Sequence, residues 1–186
     1  MQGPSDEALA GTSRGAAVTA PREPKARLKR APNTIEQQVL DAIERGKIEA
    51  VPSALLMPLY EQLEPVSVEF MLDTWHGSLF DGKLNPDDKD SWWGKNMVSV
   101  EHVEPLLFRR PDGGVYSNEA WGLAKLFEGE VNGLSKTVML KYNDKPLCDY
   151  FRRVTDDTVL GFTPAALLGV DFFFQLTRDP HTKVER

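Results

Sequence analysis

Apolar residues recur at two different periods along this chain. Ile35, Val39, Leu40 and Ile43 fall at helical spacing. They follow Asn33-Thr34-Ile35-Glu36, where Asn33 is placed to cap an orphan amide and Glu36 to reach back as the other half of a capping box. Gly46 suits the left-handed position past the end, so the pattern predicts an amphipathic helix over 34–45 that packs on its own domain. Leu55, Leu56, Leu59 and Leu63 predict a further helical turn or two within 53–63. Pro52 fits a first turn there, and Pro58 would interrupt a longer helix.

From Val66 onward the period shortens to two. Asp81-Gly82, Asp112-Gly113-Gly114, Asn132-Gly133, Asn143-Asp144 and Asp156-Asp157 punctuate the chain with tight-turn chemistry. Between them, Val98–Val103, Lys136–Tyr142, Leu147–Val154, Thr158–Phe162 and Val170–Thr177 read as strands. Strands this close together form an antiparallel meander, and closure into a barrel removes its exposed edges. The expected fold is therefore mainly β: a small antiparallel, calycin-like barrel with an N-terminal helix or helix pair packed on it or plugging one end. A barrel of about eight strands has an interior that side chains fill or that holds one small ligand.

Composition refines the boundaries. Residues 1–33 are rich in Gly, Ala, Pro and Ser and carry a net charge of +3, against −9 for residues 34–186. Such a stretch buries too little to offset its ordering entropy and reads as a disordered basic tail. It has no apolar core of a secretory signal; its Arg/Ala/Ser bias resembles a transit peptide, but Asp6 and Glu7 oppose that. A helical segment over 34–63, a barrel over 64–180 and a short tail over 181–186 follow. Cys148 is the single cysteine of the 186 residues, so no intramolecular disulfide framework exists, in keeping with a cytoplasmic setting. The net charge of −6 lacks the footprint of a general nucleic-acid binder. No apolar run approaches the roughly 20 residues of a membrane-spanning helix.

The motifs come in an ordered set. Met71-Leu72-Asp73-Thr74-Trp75-His76-Gly77 is followed by Ser91-Trp92-Trp93-Gly94-Lys95 and Val103-Glu104-Pro105-Leu106. Then come Lys145-Pro146-Leu147-Cys148-Asp149-Tyr150-Phe151-Arg152-Arg153-Val154, Asp156-Asp157-Thr158-Val159-Leu160-Gly161 and Phe172-Phe173-Phe174-Gln175-Leu176-Thr177-Arg178. This set resembles the GXWXG domain family followed by the domain of unknown function 4334, over about 64–110 and 120–180. Trp75 and Gly77 match the first motif, whose leading Gly is replaced by Asp73. The resemblance implies a small cytosolic protein and marks Asp149, Phe151 and Arg152. The GXW-like start is also similar to lipocalin and fatty-acid-binding barrels.

Asp149 is the most suggestive single residue, a carboxylate in an otherwise apolar strand. Facing inward, desolvation would raise its pKa and make it a proton donor or acceptor near neutrality. The plainer reading gives it a structural partner such as Lys141 or Arg153. Strand alternation puts Leu147, Asp149, Phe151 and Arg153 on one face and Cys148, Tyr150, Arg152 and Val154 on the other, so Asp149 and Arg152 share a cavity only through a bulge. His76 is a candidate base beside Trp75, or a solvated histidine. Trp92 and Trp93 would roof a pocket or pack a barrel end. Lys95 and Arg178 would orient a ligand's polar head or pair with nearby acids. Trp75, Phe151, Phe172 and Phe174 supply aromatic lining.

Cys148 beside Asp149 is a poor nucleophile. No metal-ligand spacing, Walker A loop, GxSxG or dinucleotide fingerprint is present, so neither a metal nor a cofactor is expected. Two functions fit: cofactor-independent proton transfer on a small apolar substrate (isomerase, cyclase or dehydratase), with Asp149, His76 and Arg152 as catalytic candidates, or carriage of a lipid-like or aromatic molecule unchanged. A third, an interaction role for the helix and tail, is weaker.

Overall fold

The computed structural model describes residues 33–82, 92–131, 133–165 and 169–185. The basic tail and the acidic stretch Asp87–Asp90 lie outside them. Three short helices come early: α1 (Ile35–Gly46), α2 (Ser53–Tyr60) and α3 (Val68–Met71). The strands are β1 (Glu64–Pro65), β2 (Thr74–Leu79), β3 (Trp92–Ser99), β4 (His102–Arg109), β5 (Val115–Ser117), β6 (Ala124–Gly129), β7 (Thr137–Tyr142), β8 (Cys148–Arg153), β9 (Thr158–Thr163), β10 (Phe172–Arg178) and β11 (Val184–Glu185).

Neighbouring strands follow the order β4-β3-β2-β10-β9-β8-β7-β6, and Val103↔Ala124 joins β4 to β6, closing an eight-stranded antiparallel barrel. β5 and β11 extend the sheet beyond β4, and β1 pairs with β8. The expected mainly β barrel with N-terminal helices is what the chain forms.

Three local expectations need adjustment. The cap of α1 is Thr34, whose Oγ1 accepts from the Gln37 amide at 3.3 Å, so the helix starts one residue later than Asn33 would place it. α2 retains Pro58, which sits in its last turn and so removes one amide where few ladder bonds remain. Val98–Val103 is not a strand: it spans the β3–β4 turn at Val100-Glu101. Valines carried the strand signal there, and the turn lacks Gly, Asn or Pro to announce it.

Strand alternation divides the apolar residues into two layers. Trp75, Met97, Val103, Leu126, Val138, Leu140, Phe151, Val159, Phe174 and Leu176 form the lumen core. Leu160, Phe162, Phe173 and Val154 belong to a second core with Val39, Ile43, Leu56 and Tyr60 of α1 and α2. The N-terminal pair α1 and α2 therefore packs on the outer wall formed by β8, β9 and β10 and does not plug the barrel, whereas α3 sends Met71 into the lumen core with Val68 and Phe70 packed against it. No described helix is long and apolar enough to cross a membrane.

Arg178 locks one end of the lumen. Its guanidinium lies 4.4 Å from the Trp75 ring, donates to Asp73 Oδ2 at 2.9 Å and to the Phe70 carbonyl at 3.0 Å. Trp75 Nε1 donates to the Met71 carbonyl at 2.8 Å. The carboxylate that stands where the motif has glycine is thus the counter-ion of the arginine that stacks on the motif's tryptophan.

Candidate functional site

The lumen also holds a buried polar cluster. Trp75 pairs with Lys95, but the β3–β4 register shifts around Gly94. This bulge breaks the alternation. Trp92 turns toward Phe174, with ring centroids 5.4 Å apart, and Lys95 also turns inward, while Trp93 between them packs outside against Leu107, Val115 and Val184. Gly77 makes room for Trp92, because a Cβ there would sit 2.3 Å from that ring.

Lys95 is 2% exposed and Asp149 3%. Lys95 Nζ donates to Asp149 Oδ2 at 2.8 Å, to the Pro105 carbonyl at 3.1 Å and to Tyr142 Oη at 3.2 Å. Tyr142 Oη donates in turn to Asp149 Oδ2 at a long 3.3 Å, and Thr163 Oγ1 donates to Asp149 Oδ1 at 2.7 Å. The ammonium lies 5.1–5.6 Å from the ring centroids of Phe174, Trp92 and Tyr142. Burial first, and then the Asp149 carboxylate, push the Tyr142 hydroxyl well above its ordinary pKa, so it stays a neutral donor. The partner of Asp149 is neither Lys141 nor Arg153: four strands, β3, β7, β8 and β9, each contribute one side chain to the cluster.

Leu79, Trp92, Leu106, Trp121, Leu147 and Phe172 pack on the lumen core while remaining partly exposed. Three of them stand nearest the ion pair and make a partly exposed apolar rim beside it: Trp92, 5.6 Å from the Lys95 ammonium, Trp121, 6.4 Å from the Tyr142 ring, and Phe172, 6.1 Å from the Phe174 ring. The pocket of about 270 Å³ lies elsewhere, between α1 and α2, lined by residues such as Asp41, Arg45, Leu55 and Leu59. It contains none of the candidates read from the sequence.

The remaining candidates separate. Phe151 and Phe174 lie in the lumen with centroids 6.1 Å apart, and Phe172 stands at the rim 6.1 Å from Phe174. Trp75 and Arg178 stand stacked on each other, 4.4 Å apart. Arg152, 2% exposed, lies on the outer wall of β8, as its alternation from Asp149 requires. It donates to the Leu63 carbonyl and Ser135 Oγ, both at 3.0 Å, and to the Ser135 carbonyl at 2.8 Å, with its guanidinium 5.7 Å from the Tyr60 ring. It therefore staples chain segments and does not reach Asp149. We expect Arg152→Met to cost about 1–3 kcal/mol, because it orphans buried acceptors; urea unfolding measures this. Cys148 is half-buried on the same outer face, where burial raises its thiol pKa.

His76 is on the outer face of β2, its ring 5.1 Å from that of Trp93. Partial burial, and secondarily the charge of Arg109, lower its pKa, with Asp179 opposing. The sign follows: a histidine whose folded pKa lies below its unfolded value of roughly 6.5 gives its full stability contribution above that value. The contribution is lost as pH falls from there through the folded pKa. His76→Gln should flatten the stability slope on the acid side of pH 6.5, read from urea midpoints across pH 4.5–8 (roughly the range in which a histidine titrates); an unchanged slope would refute it. Among the described residues no three His, Cys, Asp or Glu side chains gather as a metal site.

Sequence reading missed Tyr142 and Thr163 altogether. Their alternation places them on the lumen side, but nothing local marks them, because the feature that matters is the charge they face across the barrel.

The pattern of the GXWXG protein family matches residues 58–113, and that of the domain of unknown function DUF4334 matches residues 122–178. A crystal structure of a protein from Thermomonospora curvata is 38% identical, with a TM-score of 0.68, over 78% of this chain and 98% of that one. No curated protein matches the chain.

Proposed function

The chain belongs to the GXWXG family with a following DUF4334 domain, and on that premise we propose that it binds a small, largely apolar molecule at the rim end of the barrel and moves a proton on it without a cofactor. One observation carries this reading: a buried Lys95–Asp149 pair beside a half-exposed apolar rim. Burying two charges costs several kcal/mol per ion, and well-packed apolar residues of similar volume usually stabilise a fold as well or better. Stability alone is therefore a weak reason for an ion pair there. Asp149 is the proton acceptor, with Lys95 and Tyr142 as the donors that meet developing negative charge.

Side chains fill the lumen around Trp75, so the molecule enters beside the pair by displacing rim side chains, Trp92 and Phe172 first. Binding of 1-aminoanthracene, a neutral apolar fluorophore, tests this. Energy transfer from tryptophan should saturate at one probe per chain, and Phe172→Glu should weaken it at least tenfold. Non-saturable transfer, or transfer indifferent to Phe172→Glu, would refute the reading.

One observation favours carriage without conversion: all three Lys95 donors and both Asp149 oxygens already have partners. Native mass spectrometry after mild purification separates the two. An unmodified co-purified molecule marks a carrier, and conversion of a supplied one marks an enzyme.

A further inference from the structure

We infer that the ligand's polar end is a neutral carbonyl, and that the proton moved is one on the carbon beside it. This deepens the rim-end reading and rests on it.

The charge count of the cluster sets the class. The four charged side chains buried in the described residues are Lys95, Asp149, Glu104 and Arg152. Arg152 faces the outer wall, and Glu104 Oε2 accepts from Asn96 Nδ2 at 2.6 Å away from the lumen core. Apart from the partly exposed Arg178–Asp73 pair against Trp75, the lumen therefore holds one cation and one anion, 2.8 Å apart, with two neutral hydroxyls beside them. A carboxylate or phosphate arriving there would face the Asp149 carboxylate at close range in a low-dielectric site, with no second buried cation beside it among the described residues to offset the repulsion; Lys145, 5.7 Å from the Trp121 ring, is exposed. An ammonium would face Lys95 in the same way. A neutral oxygen has no such penalty: it takes the Tyr142 hydroxyl, and takes Lys95 Nζ when that ammonium gives up its 3.1 Å bond to the Pro105 carbonyl.

The weakest contact in the cluster shows where that oxygen goes. Tyr142 Oη reaches Asp149 Oδ2 only at 3.3 Å, whereas Lys95 and Thr163 hold the same carboxylate at 2.8 and 2.7 Å. Turning the Tyr142 hydroxyl onto a carbonyl oxygen therefore sacrifices the least. It also frees a lone pair of Oδ2, placing base and donor within one ligand width.

The step balances without any co-reactant. Asp149 Oδ2 takes the proton from the carbon next to the carbonyl. The C–H electron pair becomes the carbon–carbon double bond of an enolate, and the carbonyl π pair moves to oxygen, where Tyr142 and Lys95 donate to it. Asp149 then returns the proton, to the same carbon or, in a conjugated substrate, to another, giving a positional isomer. Nothing is oxidised or reduced.

A matched pair of probes tests this: 1-tetralone and 1,2,3,4-tetrahydronaphthalene-1-carboxylate, which share a ring system and differ in the charge of the polar end. Tryptophan quenching should show the ketone binding at least tenfold more tightly. In heavy water, deuterium should enter C2 of the bound ketone at least tenfold faster than in buffer. Tyr142→Phe, which keeps the ring and is expected to fold, should lower that exchange at least tenfold while shifting ketone affinity by less than threefold. Tighter or equal binding of the carboxylate overturns the inference, as does exchange at the buffer rate with ketone bound. If 1-aminoanthracene binds and neither tetralin probe does, the carbonyl assignment falls and the rim site stands. If none of the three binds, the rim site falls as well.

Discussion

Lys95→Met should destabilise the folded chain by about 3–5 kcal/mol, because it leaves the Asp149 carboxylate buried without its cation. For a domain of this size that is a fall in melting temperature on the order of 10 °C. Lys95 accounts for the strongest of the two bonds to Asp149 Oδ2, and the other comes from Tyr142 at 3.3 Å. Methionine fills the lysine stem's volume beside Trp92 and Phe174, so the loss reports charge and not a cavity. The double variant Lys95→Met, Asp149→Leu should recover most of the loss, since no isolated charge remains. It should not recover ketone discrimination or deuterium exchange. Urea unfolding of the two variants decides the matter. A single variant as stable as the parent would show that Asp149 does not depend on Lys95. A double variant no more stable than the single would show that the pair is needed by the fold itself, which would remove the main support for a functional site.

Gly94→Ala should be worse for the fold, by more than about 4 kcal/mol, beyond the range of most point substitutions. An added Cβ would lie 1.9 Å from the Trp75 carbonyl oxygen and 3.1 Å from the Gly77 amide nitrogen, both backbone atoms of β2. Strands β2 and β3 would have to separate where the bulge aims Trp92 and Lys95 into the lumen. Gly113→Ala is the control. It also has a positive φ, 92°, but nothing lies within 4 Å of its Cβ, so the cost should be near 1 kcal/mol. Near-ultraviolet circular dichroism and soluble yield read the first variant, and urea midpoints the second. Comparable values for the two would show that β2 can yield at this point.

The same bulge explains why part of the site was hidden in the sequence. Trp92, Trp93 and Lys95 are three neighbours with equal claims to face a ligand when only residue type is considered. Gly94 is the sole local sign that the alternation breaks, and a strand glycine marks a bulge without saying which side chains it turns inward. By contrast, Asp149 and Arg152 were separable from alternation alone, because β8 is regular there.

Local chemistry was sufficient for α1, α2 and β7 to β10, and failed at Val98–Val103, where it took the β3–β4 turn for a strand. Periodicity of two with turn pairs after Val66, helical spacing after Thr34, and the opposed charge of the first 33 residues follow from side-chain geometry and solvation, and each acts over a few residues. They led to a mainly β barrel with helices before it. Only the tertiary structure decided that α1 and α2 cover the outer wall, that Asp73 serves Arg178, and that Lys95, Tyr142 and Thr163 converge on Asp149. Those contacts join residues 7–105 positions apart and depend on barrel closure and on the register of each strand pair. A one-residue slip would exchange inward for outward side chains, and no short-range pattern of sequence fixes that choice for a strand whose two faces are both largely buried.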